Sequence, residues 1–583
     1  MKQGKNRRLA NVKTRRETGL DYVMFNLDLN TPFGKKQLKE LKPFYPGEEE
    51  ELCAELDRVQ RMIWFVEQNQ TLSDKIQEVF MEMKDPSLTI QRSATSTLST
   101  VELFEVKSLL LQMRQLVKLT REHEIGDYKG AHCKAECDAA AGNAPAETLS
   151  FAREEGAPEV STVPEEFFLA DTEDLLDELD PRRDRMNTFY IYDEFSPALG
   201  ALRAKKREYE LLIRKEQKAA RDELRRAHGV MLTPKFDMVL ARSHPDFDKI
   251  TNLPELEVTD QDYTSVTLQL KATDQVRKYI AGMEDLNADI DTEEERVREA
   301  LSRRIAGRAA VLLANCEKIG ALDLALSKAI YALRHRLTRP EITAEHVIEF
   351  EEGRNLQVED IISAKGKEYC PVSLKLEDGV TLITGANMGG KTISLKLAGQ
   401  IPILAQYGFF VPARRARIGL SNYMQILIGD SQSVERGLSS FGSEMEELKE
   451  ILDNGQERSL ILIDEIASGT NPTEGTALTK SLVDYLLTKP YISLITTHFE
   501  SVTEREGVVN MQVVGLADCD FTKLNSEIKR ANRRDRINII SKYMDYRLRR
   551  VENGAQVPKD ALNIAAMLGI DKAIIDGAKK YIR

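Results

Sequence analysis

Apolar residues recur at helical spacing through most of the first 340 positions of the chain. The stretch 50–66 is typical, because its apolar residues fall every three or four positions and so predict one amphipathic helix. Two longer and more charged stretches, 197–228 and 274–337, predict long helices, with strand-like residues at 265–270 between them. This order indicates either a projecting arm with a small β-containing insertion or an ordinary helical bundle.

From about residue 342 the pattern changes to short apolar runs separated by loops. Residues 460–463 are a continuous apolar run, which is typical of a strand buried on both faces of a parallel sheet, and residues 492–497 are expected to form a second buried strand. Residues 380–383 form a third such strand. We therefore predict a multidomain α + α/β protein, in which a helical region is followed by an α/β domain.

Two segments show neither the helical spacing of apolar residues nor the short apolar runs of strands. Residues 1–19 begin with a basic run that reads as a solvated tail or, less simply, as an arm for an anionic partner. Residues 129–185 are rich in Ala, Gly, Pro, Glu and Asp, with eight acidic residues between 165 and 180. Like-charge repulsion in such a segment predicts an extended linker.

Composition narrows the class of protein. The chain has 583 residues, 42% of them hydrophobic and 30% charged, which is enough for several domains. No apolar run approaches the roughly 20 residues that span a bilayer, and the basic N-terminus lacks the apolar core of a secretory signal. Six scattered cysteines suit a reducing compartment, so we expect a cytoplasmic protein without a membrane partner. Cys133 and Cys137 lack a second ligand pair, which argues against a metal site.

The residues that follow the strand at 380–383 carry the clearest chemistry. Gly385, Gly390, Lys391 and Thr392 fit the phosphate-loop pattern G-x-x-x-x-G-K-[ST], and helix-forming residues follow. Glycines let backbone N–H groups converge on phosphate oxygens, and the next helix points its positive end at the same anion. Lys391 suits the β- and γ-phosphates, and Thr392 suits Mg²⁺. The sequence predicts binding of ATP or GTP.

Polar residues stand at the ends of the two other predicted strands. Asp464 and Glu465 follow the apolar run at 460–463, and His498 follows the strand at 492–497. A strand-tip carboxylate such as Asp464 can hold Mg²⁺ together with Thr392, and Glu465 is suited to orient or deprotonate the attacking water. A helix N-cap is the structural alternative for the carboxylates. His498 could sense the γ-phosphate or be a satisfied core histidine.

Four motifs of the sequence resemble the ATPase domain of the MutS family. They are GANMGGKT at 385–392, GLSSFGSEMEEL at 437–448, LILIDEIASGTNPTEG at 460–475 and TTH at 496–498. The resemblance continues more weakly through LDLNTPFGKKQL at 27–38, FYIYDEFSPALGALR at 189–203 and the C-terminal residues. It implies a P-loop, ABC-like ATPase domain after a helical core, lever and clamp.

The resemblance also implies domain limits and site residues. We expect a basic tail at 1–19, the core, lever and clamp at 20–340, the ATPase domain at 341–540 and helices for dimerisation at 541–583. ATP with Mg²⁺ is the expected ligand, sandwiched between the two subunits of a homodimer. Asn387 and Gly389 would belong to the phosphate loop, Ser439 would reach the partner's γ-phosphate, and Asn471 would lie in a loop that touches the partner.

Departures from the family pattern separate two hypotheses. The core-like residues begin near residue 20, so a short form without a mismatch-recognition domain is expected. This form is similar to the reactivating ATPases of adenosylcobalamin-dependent lysine/ornithine aminomutases, which predicts a switch that remodels a protein client. The net charge of −12 favours this reading. The alternative is binding of mismatched or branched duplex DNA in repair or recombination, which basic residues between 523 and 536 favour.

Overall fold

The computed structural model describes residues 8–121, 163–366, 368–385, 390–429, 440–516, 519–530, 532, 536–552 and 560–581. The chain divides into two compact units. Unit 1 comprises Met1–Phe80, His123–Phe167 and Gly320–Arg583, and unit 2 comprises Met81–Glu122 and Phe168–Ile319. The N-terminal helices therefore share a unit with the α/β region, which differs from the expected boundary near residue 340.

Most of the described residues form α-helices. In chain order they are α1 (Val12–Glu17), α2 (Leu20–Phe25), α3 (Pro32–Glu40), α4 (Glu49–Gln68), α5 (Gln70–Met81), α6 (Ser87–Arg92), α7 (Thr100–Arg121), α8 (Glu173–Leu179), α9 (Pro197–His228), α10 (Phe247–Thr251), α11 (Asp274–His335), α12 (Leu356–Ser363), α13 (Gly390–Gln406), α14 (Ser440–Asn454), α15 (Pro472–Leu487), α16 (Phe521–Arg530), α17 (Arg536–Tyr543), α18 (Asp560–Leu568) and α19 (Lys572–Tyr581).

The strands form three sheets. In chain order they are β1 (Asp237–Ala241), β2 (Leu256–Gln261), β3 (Ser265–Leu270), β4 (Glu341–Thr343), β5 (Val347–Gly353), β6 (Val372–Glu377), β7 (Gly379–Thr384), β8 (Arg415–Gly419), β9 (Tyr423–Ile428), β10 (Ser459–Asp464), β11 (Tyr491–Thr496), β12 (Val508–Gly515) and β13 (Asp545–Val551). The mixed α and α/β character confirms the fold class at this level.

The central sheet of unit 1 has the strand order β13-β12-β7-β11-β10-β9. Strands β12, β7, β11, β10 and β9 run parallel to their neighbours, and β13 pairs antiparallel with β12. The runs predicted at 460–463 and 492–497 are β10 and β11, and their apolar side chains are fully buried. The unbroken apolar run of β10 therefore predicted a doubly covered parallel strand correctly, and the second strand, predicted at 492–497, is buried as well.

Helices cover both faces of this sheet. Ile461 and Ile463 of β10 pack with apolar residues of α14 and α15 in one cluster. Leu462 points to the opposite face, because side chains alternate along a strand, and there it meets Gly399 of α13. A Cβ added at Gly399 would lie 2.9 Å from Leu462 Cδ1, so helix and strand approach too closely for a larger residue. A second sheet of unit 1 has the order β4-β8-β5-β6.

The N-terminal segment is packed rather than solvated. Leu9 and Ala10 are buried, and Thr14 and Thr18 are fully buried. Asn11 caps α1 by accepting a hydrogen bond from Thr14 N. Residues 8–19 therefore differ from the expected basic tail, because their apolar and hydroxyl side chains have partners about 400 positions away in the chain. Residues 1–7 lie outside the described part.

The acidic segment is also more ordered than its charge indicates. Residues 163–185 include α8, whose Leu175, Leu176 and Leu179 are buried. Its acidic side chains pair with cations, as in Asp180 with the buried Lys107 (3.2 Å) and Glu173 with Arg185 (2.7 Å). The expected extended linker is therefore wrong for these residues, because arginine and lysine neutralise the repulsion. The rest of the expected linker, 129–162, lies outside the described residues.

The two long helices predicted between 197 and 337 are α9, which lies in unit 2, and α11, which belongs to unit 2 as far as Ile319 and to unit 1 from Gly320. Helix α9 has the predicted ends, since Ser196 accepts from Leu199 N, Pro197 occupies the first turn and Gly229 closes the helix in the left-handed conformation. Helix α11 ends at His335, two residues before the predicted end. The residues between them form the three-stranded sheet β1-β3-β2, with β3 at the predicted 265–270. Its small core includes Leu240, Val266 and Leu268.

The C-terminal residues only partly follow the prediction. The segment 541–583 was expected to be helical, but residues 545–551 form β13 and extend the central sheet, while α18 and α19 follow. Strand β13 contains three exposed arginines, Arg547, Arg549 and Arg550, which explains why its strand character is hard to see from apolar residues alone. Among the described residues, no helix combines the length and the apolar character that crossing a bilayer requires.

Candidate functional site

The candidate site lies at the carboxyl ends of three neighbouring strands, β7, β11 and β10. This edge of a parallel sheet is where open α/β folds place their ligands. Strand β7 leads into Gly385, whose φ of +128° is open to glycine and strained for other residues. Helix α13 begins at Gly390. Strand, glycine turn and helix therefore follow in the order that a phosphate loop requires.

Thr392 and Asp464 meet at this edge. The Thr392 hydroxyl donates to Asp464 Oδ2 over 2.8 Å. The other carboxylate oxygen, Oδ1, accepts from the hydroxyl of Thr496 at the tip of β11 over 2.5 Å. Two hydroxyls from two elements thus fix the orientation of one carboxylate. Thr496 was not singled out from the sequence, and its position in the motif TTH is the signal that could have found it.

Lys391 contacts the loop and the second carboxylate. Its side chain is almost fully buried, its Nζ donates to Gly385 O over 3.1 Å, and Glu465 Oε1 lies 2.9 Å from Nζ. The Glu465 side chain is about one-quarter exposed (28%), so the ion pair lies at the border between core and solvent. The structure brings Gly385, Lys391 and Glu465 together as the sequence predicts.

Glu465 has a backbone conformation that is unusual for its residue type. Its φ is +46°, in the left-handed region, and Ala467 follows with a φ of +60°. Strain of this kind persists only where surrounding contacts hold it, and it concentrates at functional sites. The Glu465 N–H donates to Thr496 O and to Thr496 Oγ1, both over 3.1 Å. Neighbouring β11 therefore holds the turn that presents the carboxylate.

His498 lies just beyond the tip of β11. It is exposed, and its ring packs against Phe499 with centroids 4.3 Å apart. Thr497 is buried and its N–H donates to Ile383 O over 3.0 Å, which fixes the backbone immediately before the histidine. Exposure rules out the alternative of a buried core histidine. The sensor role stays a prediction.

Helix α14 reaches the same turn through a buried carboxyl group. Glu444 Oε1 accepts a hydrogen bond from Ala467 N over 3.2 Å. Burial raises the pKa of the Glu444 carboxyl, the hydrogen bond from Ala467 opposes this, and repulsion from Glu447 adds to it. Sequence reasoning used the GSEMEE residues only as a helix start. The signal it missed is a glutamate on the apolar side of an amphipathic helix.

A further residue borders the start of α13. A Cβ added at Gly390 would lie 3.1 Å from Tyr546 Cδ1 of β13 and 3.3 Å from Val513 of β12. Gly390 is therefore required for close approach of the helix start to the sheet. Because β13 was not predicted as a strand, nothing in the sequence placed Tyr546 here.

The oxygen atoms at Thr392 and Asp464 fit a magnesium ion. Mg²⁺ prefers hard oxygen ligands and is commonly held by one or two protein groups together with phosphates and water. One hydroxyl and one carboxylate, 2.8 Å apart, supply such a pair. The described residues contain no cluster of three or more histidine, cysteine or acidic side chains suited to a metal. The pair therefore suits a metal that arrives with a phosphate ligand.

Several predicted site residues lie outside the described part of the chain. They are Asn387, Gly389 and Ser439. Cys133 and Cys137, for which no site was predicted, also lie outside it. Asn471 is described, and its side chain accepts from Thr473 N over 2.9 Å as the N-cap of α15. Residues 471–474 are exposed. The loop therefore has a structural reason for its asparagine and remains accessible to a partner.

The sequence of this chain is similar to a known family model and to known proteins. Residues 381–583 match the family model MutS domain V. A protein of Clostridium botulinum (strain Okra / Type B1) described as Endonuclease MutS2 is 34% identical over 263 residues, which cover 44% of this chain and 32% of that protein. Endonuclease MutS2 of Shouchella clausii is 32% identical over 297 residues, covering 49% and 34%. Endonuclease MutS2 of Pediococcus pentosaceus is 37% identical over 223 residues, covering 37% and 28%.

In each case the aligned residues span about a third of the relative's length. The matches show that residues 381–583 are similar to MutS domain V and that part of the chain is similar to proteins described as Endonuclease MutS2. They do not confirm the expected resemblance to aminomutase reactivating ATPases.

Proposed function

We propose that the chain is an ATP-binding and ATP-hydrolysing switch of the MutS family that acts as a homodimer. The hydrogen bond between Thr392 Oγ1 and Asp464 Oδ2 carries this proposal. It joins the hydroxyl that ends the phosphate-loop motif to the strand-tip carboxylate, and these two groups hold the metal in P-loop enzymes. A chance match to the motif would not bring the two groups into contact.

Each residue of the site would have a separate role in ATP hydrolysis. The N-terminal end of α13 would face the phosphates, and Lys391 would add a positive charge. Thr392 and Asp464 would hold Mg²⁺, which would neutralise charge on the phosphate oxygens. Glu465 would accept a proton from the attacking water. His498, exposed at the tip of β11, would contact the γ-phosphate or that water.

The ion pair of Lys391 with Glu465 gives the switch a physical basis. The two charges lie 2.9 Å apart. A triphosphate competes for the ammonium group of Lys391, so nucleotide binding would free the Glu465 carboxylate for the water. The base would then become active only after the substrate has bound.

Association of two subunits would complete the site. Ser439 of one protomer would contact the γ-phosphate bound by its partner, and the exposed loop at Asn471 would touch the partner. A ligand shifts a conformational equilibrium only through its different affinity for the two states. Contacts made to the γ-phosphate only in the associated state would provide that difference, so ATP would join the protomers and hydrolysis would release them.

For the client we propose duplex DNA, held through one face of α9. This helix has ten basic and five acidic residues. Six cations are exposed and fall on one side at helical spacing, and we call this the basic face of α9: Arg207, Arg214, Lys215, Lys218, Arg225 and Arg226. Only Arg207 forms an ion pair among the described residues, at 3.8 Å from Asp193. Unpaired cations in a row are suited to phosphates.

The basic face of α9 weakens the argument from net charge against DNA binding. The overall charge of −12 argued against nucleic acid, but binding depends on a segregated basic surface and not on the total. The description Endonuclease MutS2 of the relatives favours the same client.

A protein client is the second candidate. The residues between the two long helices, 229–273, contain seven acidic and four basic residues. Val239 and Tyr263 are exposed there. An acidic surface with exposed apolar groups suits a basic protein better than DNA. An adenosylcobalamin-dependent aminomutase remains a candidate of this kind.

The two clients are distinguished by charge neutralisation. The triple variant Arg214→Gln, Lys215→Gln, Lys218→Gln removes three cations of the basic face. The slope of log affinity against log salt for duplex DNA should become less steep by about 2 to 3 units, since each phosphate contact contributes roughly 0.9. The matched control Lys205→Gln, Lys235→Gln, Lys249→Gln removes three exposed lysines elsewhere in unit 2 and should leave the slope unchanged.

Equal slopes for the two triple variants would refute the basic face as the DNA site. Stimulation of ATP hydrolysis by a cofactor-damaged aminomutase, with none by linear, mismatched or branched DNA at the same salt concentration, would support the protein client instead.

A further inference from the structure

The N-terminal residues 8–18, here called the N-terminal clip, cover the open edge of the central sheet. Strand β9 is the last strand of the sheet and pairs only with β10. On its other edge, Met424 N donates to Leu9 O over 2.7 Å, and Ile426 N donates to Thr14 Oγ1 over 3.2 Å. Alternate residues of a strand point their backbone groups to the same edge, so the clip replaces a missing neighbour.

The clip also contacts the two helices that flank the candidate site. Lys13 Nζ lies 2.7 Å from Glu447 Oε2 on α14 and donates to Ile428 O over 3.3 Å. Glu17 Oε2 lies 2.9 Å from Lys396 Nζ on α13. Burial alone would raise the pKa of the Glu17 carboxyl, but the contacts with Lys396 and Arg16 lower it below its usual value. One short helix is therefore ion-paired to both α13 and α14.

Close packing accompanies the ion pair with α13. A Cβ added at Gly399 would lie 2.6 Å from Thr18 Cγ2. Because Thr18 is fully buried, it cannot move aside for a larger residue. The distance between clip and α13 is thus fixed by a glycine, in addition to the pairing of Glu17 with Lys396.

Contacts of α14 lead from the clip to the turn of Glu465. Glu447 and Glu444 are three residues apart and so lie on neighbouring positions of the helix surface. Glu447 binds Lys13, while Glu444 accepts from Ala467 N, two residues after Glu465. Rotation or displacement of α14 would change the Glu444 contact, and with it the strained backbone that presents the Glu465 carboxylate.

We infer that Lys13 is a positioning residue for ATP hydrolysis, acting through Glu447 to fix α14 and the turn of Glu465. The inference rests on the proposed ATPase function. Among the described residues Lys13 pairs with Glu447 and Ile428 O and with none of Lys391, Thr392, Asp464 and Glu465. Its loss should therefore lower the rate of hydrolysis and leave nucleotide affinity unchanged. A role limited to holding the fold together would instead lower the melting temperature without a selective effect on kcat.

The test compares Lys13→Met, Glu447→Gln and the double variant in the full chain. We expect each single variant to lower kcat by about 3- to 10-fold, corresponding to a coupling of ordinary size between contacting residues. The double variant should lose no more than either single variant, because both remove the same contact. The dissociation constant of a fluorescent ATP analogue with Mg²⁺ should not change.

Arg16→Met is the matched control, because Arg16 lies on the same short helix with its side chain mostly exposed. It should keep the kcat of the unsubstituted chain. Should Lys13→Met fail to fold, Glu447→Gln decides alone, since it leaves the clip intact. Unchanged kcat in both single variants, or additive losses in the double variant, would overturn the inference while leaving the proposed function in place. An unsubstituted chain that binds ATP and hydrolyses none would overturn both.

Discussion

Strands β10 and β2 have six residues each and differ in almost every other respect. Strand β10 lies between two parallel neighbours, and all its residues except Asp464 are buried. Strand β2 lies at the edge of a three-stranded sheet, and only Leu256 is buried. In unit 1 the buried strand serves as a rigid support that places one carboxylate against Thr392. In unit 2 the exposed strand leaves its side chains available as a surface.

The difference extends to how charge is used. Unit 1 brings Lys391, Glu465 and Asp464 into contacts of definite geometry, which suits the stabilisation of a developing charge. The basic face of α9 in unit 2 presents its cations to solvent with little pairing, which suits an extended polyanion. Substitutions in unit 1 should therefore have large and specific effects, whereas those in unit 2 should be small and graded.

The largest effect is expected at the phosphate loop. Lys391→Ala removes the charge that faces the β- and γ-phosphates and should reduce ATP hydrolysis to the level of a protein-free blank. Binding of a fluorescent ATP analogue should be lost as well. Lys449→Ala, an exposed lysine of α14, is the control and should behave as the unsubstituted chain. Normal hydrolysis by the Lys391 variant would place the nucleotide site elsewhere.

A second large effect should separate binding from chemistry. Glu465→Gln retains the shape of the side chain and removes its capacity to accept a proton. Hydrolysis should fall by about 10²- to 10⁴-fold, the usual contribution of a general base, with ATP affinity retained or increased. The increase is expected because Lys391 would no longer be paired with a carboxylate. Unchanged turnover would assign the base to another residue.

Some elements of the fold could be predicted from the sequence, and others could not. Strand β10 was predicted from an unbroken apolar run, β11 from a strand-like stretch that ends at His498, and α9 and α11 from helical spacing, because these patterns are local. The packing of Leu9 and Thr14 depends on residues of β9 more than 400 positions away, so no local pattern reveals it. The acidic residues of α8 were misread because their partners, such as Lys107, are known only once the chain is folded.

The residues of the candidate site also fall into those that the sequence predicted and those that it did not. Lys391, Thr392, Asp464 and Glu465 belong to short motifs, and the structure brings them together. Thr496 and Glu444 also lie within motifs, but their hydrogen bonds to other elements, like the ion pair of Lys13 with Glu447, appear only in the folded chain.

A smaller effect, on stability, should distinguish strands β10 and β2. Leu462→Ala in β10 removes a fully buried side chain and should destabilise unit 1 by about 2 to 5 kcal/mol. Val258→Ala in β2, where the side chain is half exposed, should change stability by no more than about 0.5 kcal/mol. The single tryptophan, Trp64, lies in unit 1, so its fluorescence in urea reports the unfolding transition of unit 1. A shift of that transition by the Val258 variant would contradict the assignment of the two strands to separate units.

The central claim is that ATP joins two copies of this chain and that hydrolysis at Glu465 separates them. Sedimentation velocity of the Glu465→Gln chain, with and without saturating ATP and Mg²⁺, tests it most directly. We expect ATP to convert the protein to a species of twice the 65.9 kDa chain mass, which persists because hydrolysis is blocked. Single copies throughout, with ATP bound and the unsubstituted chain hydrolysing normally, would contradict it.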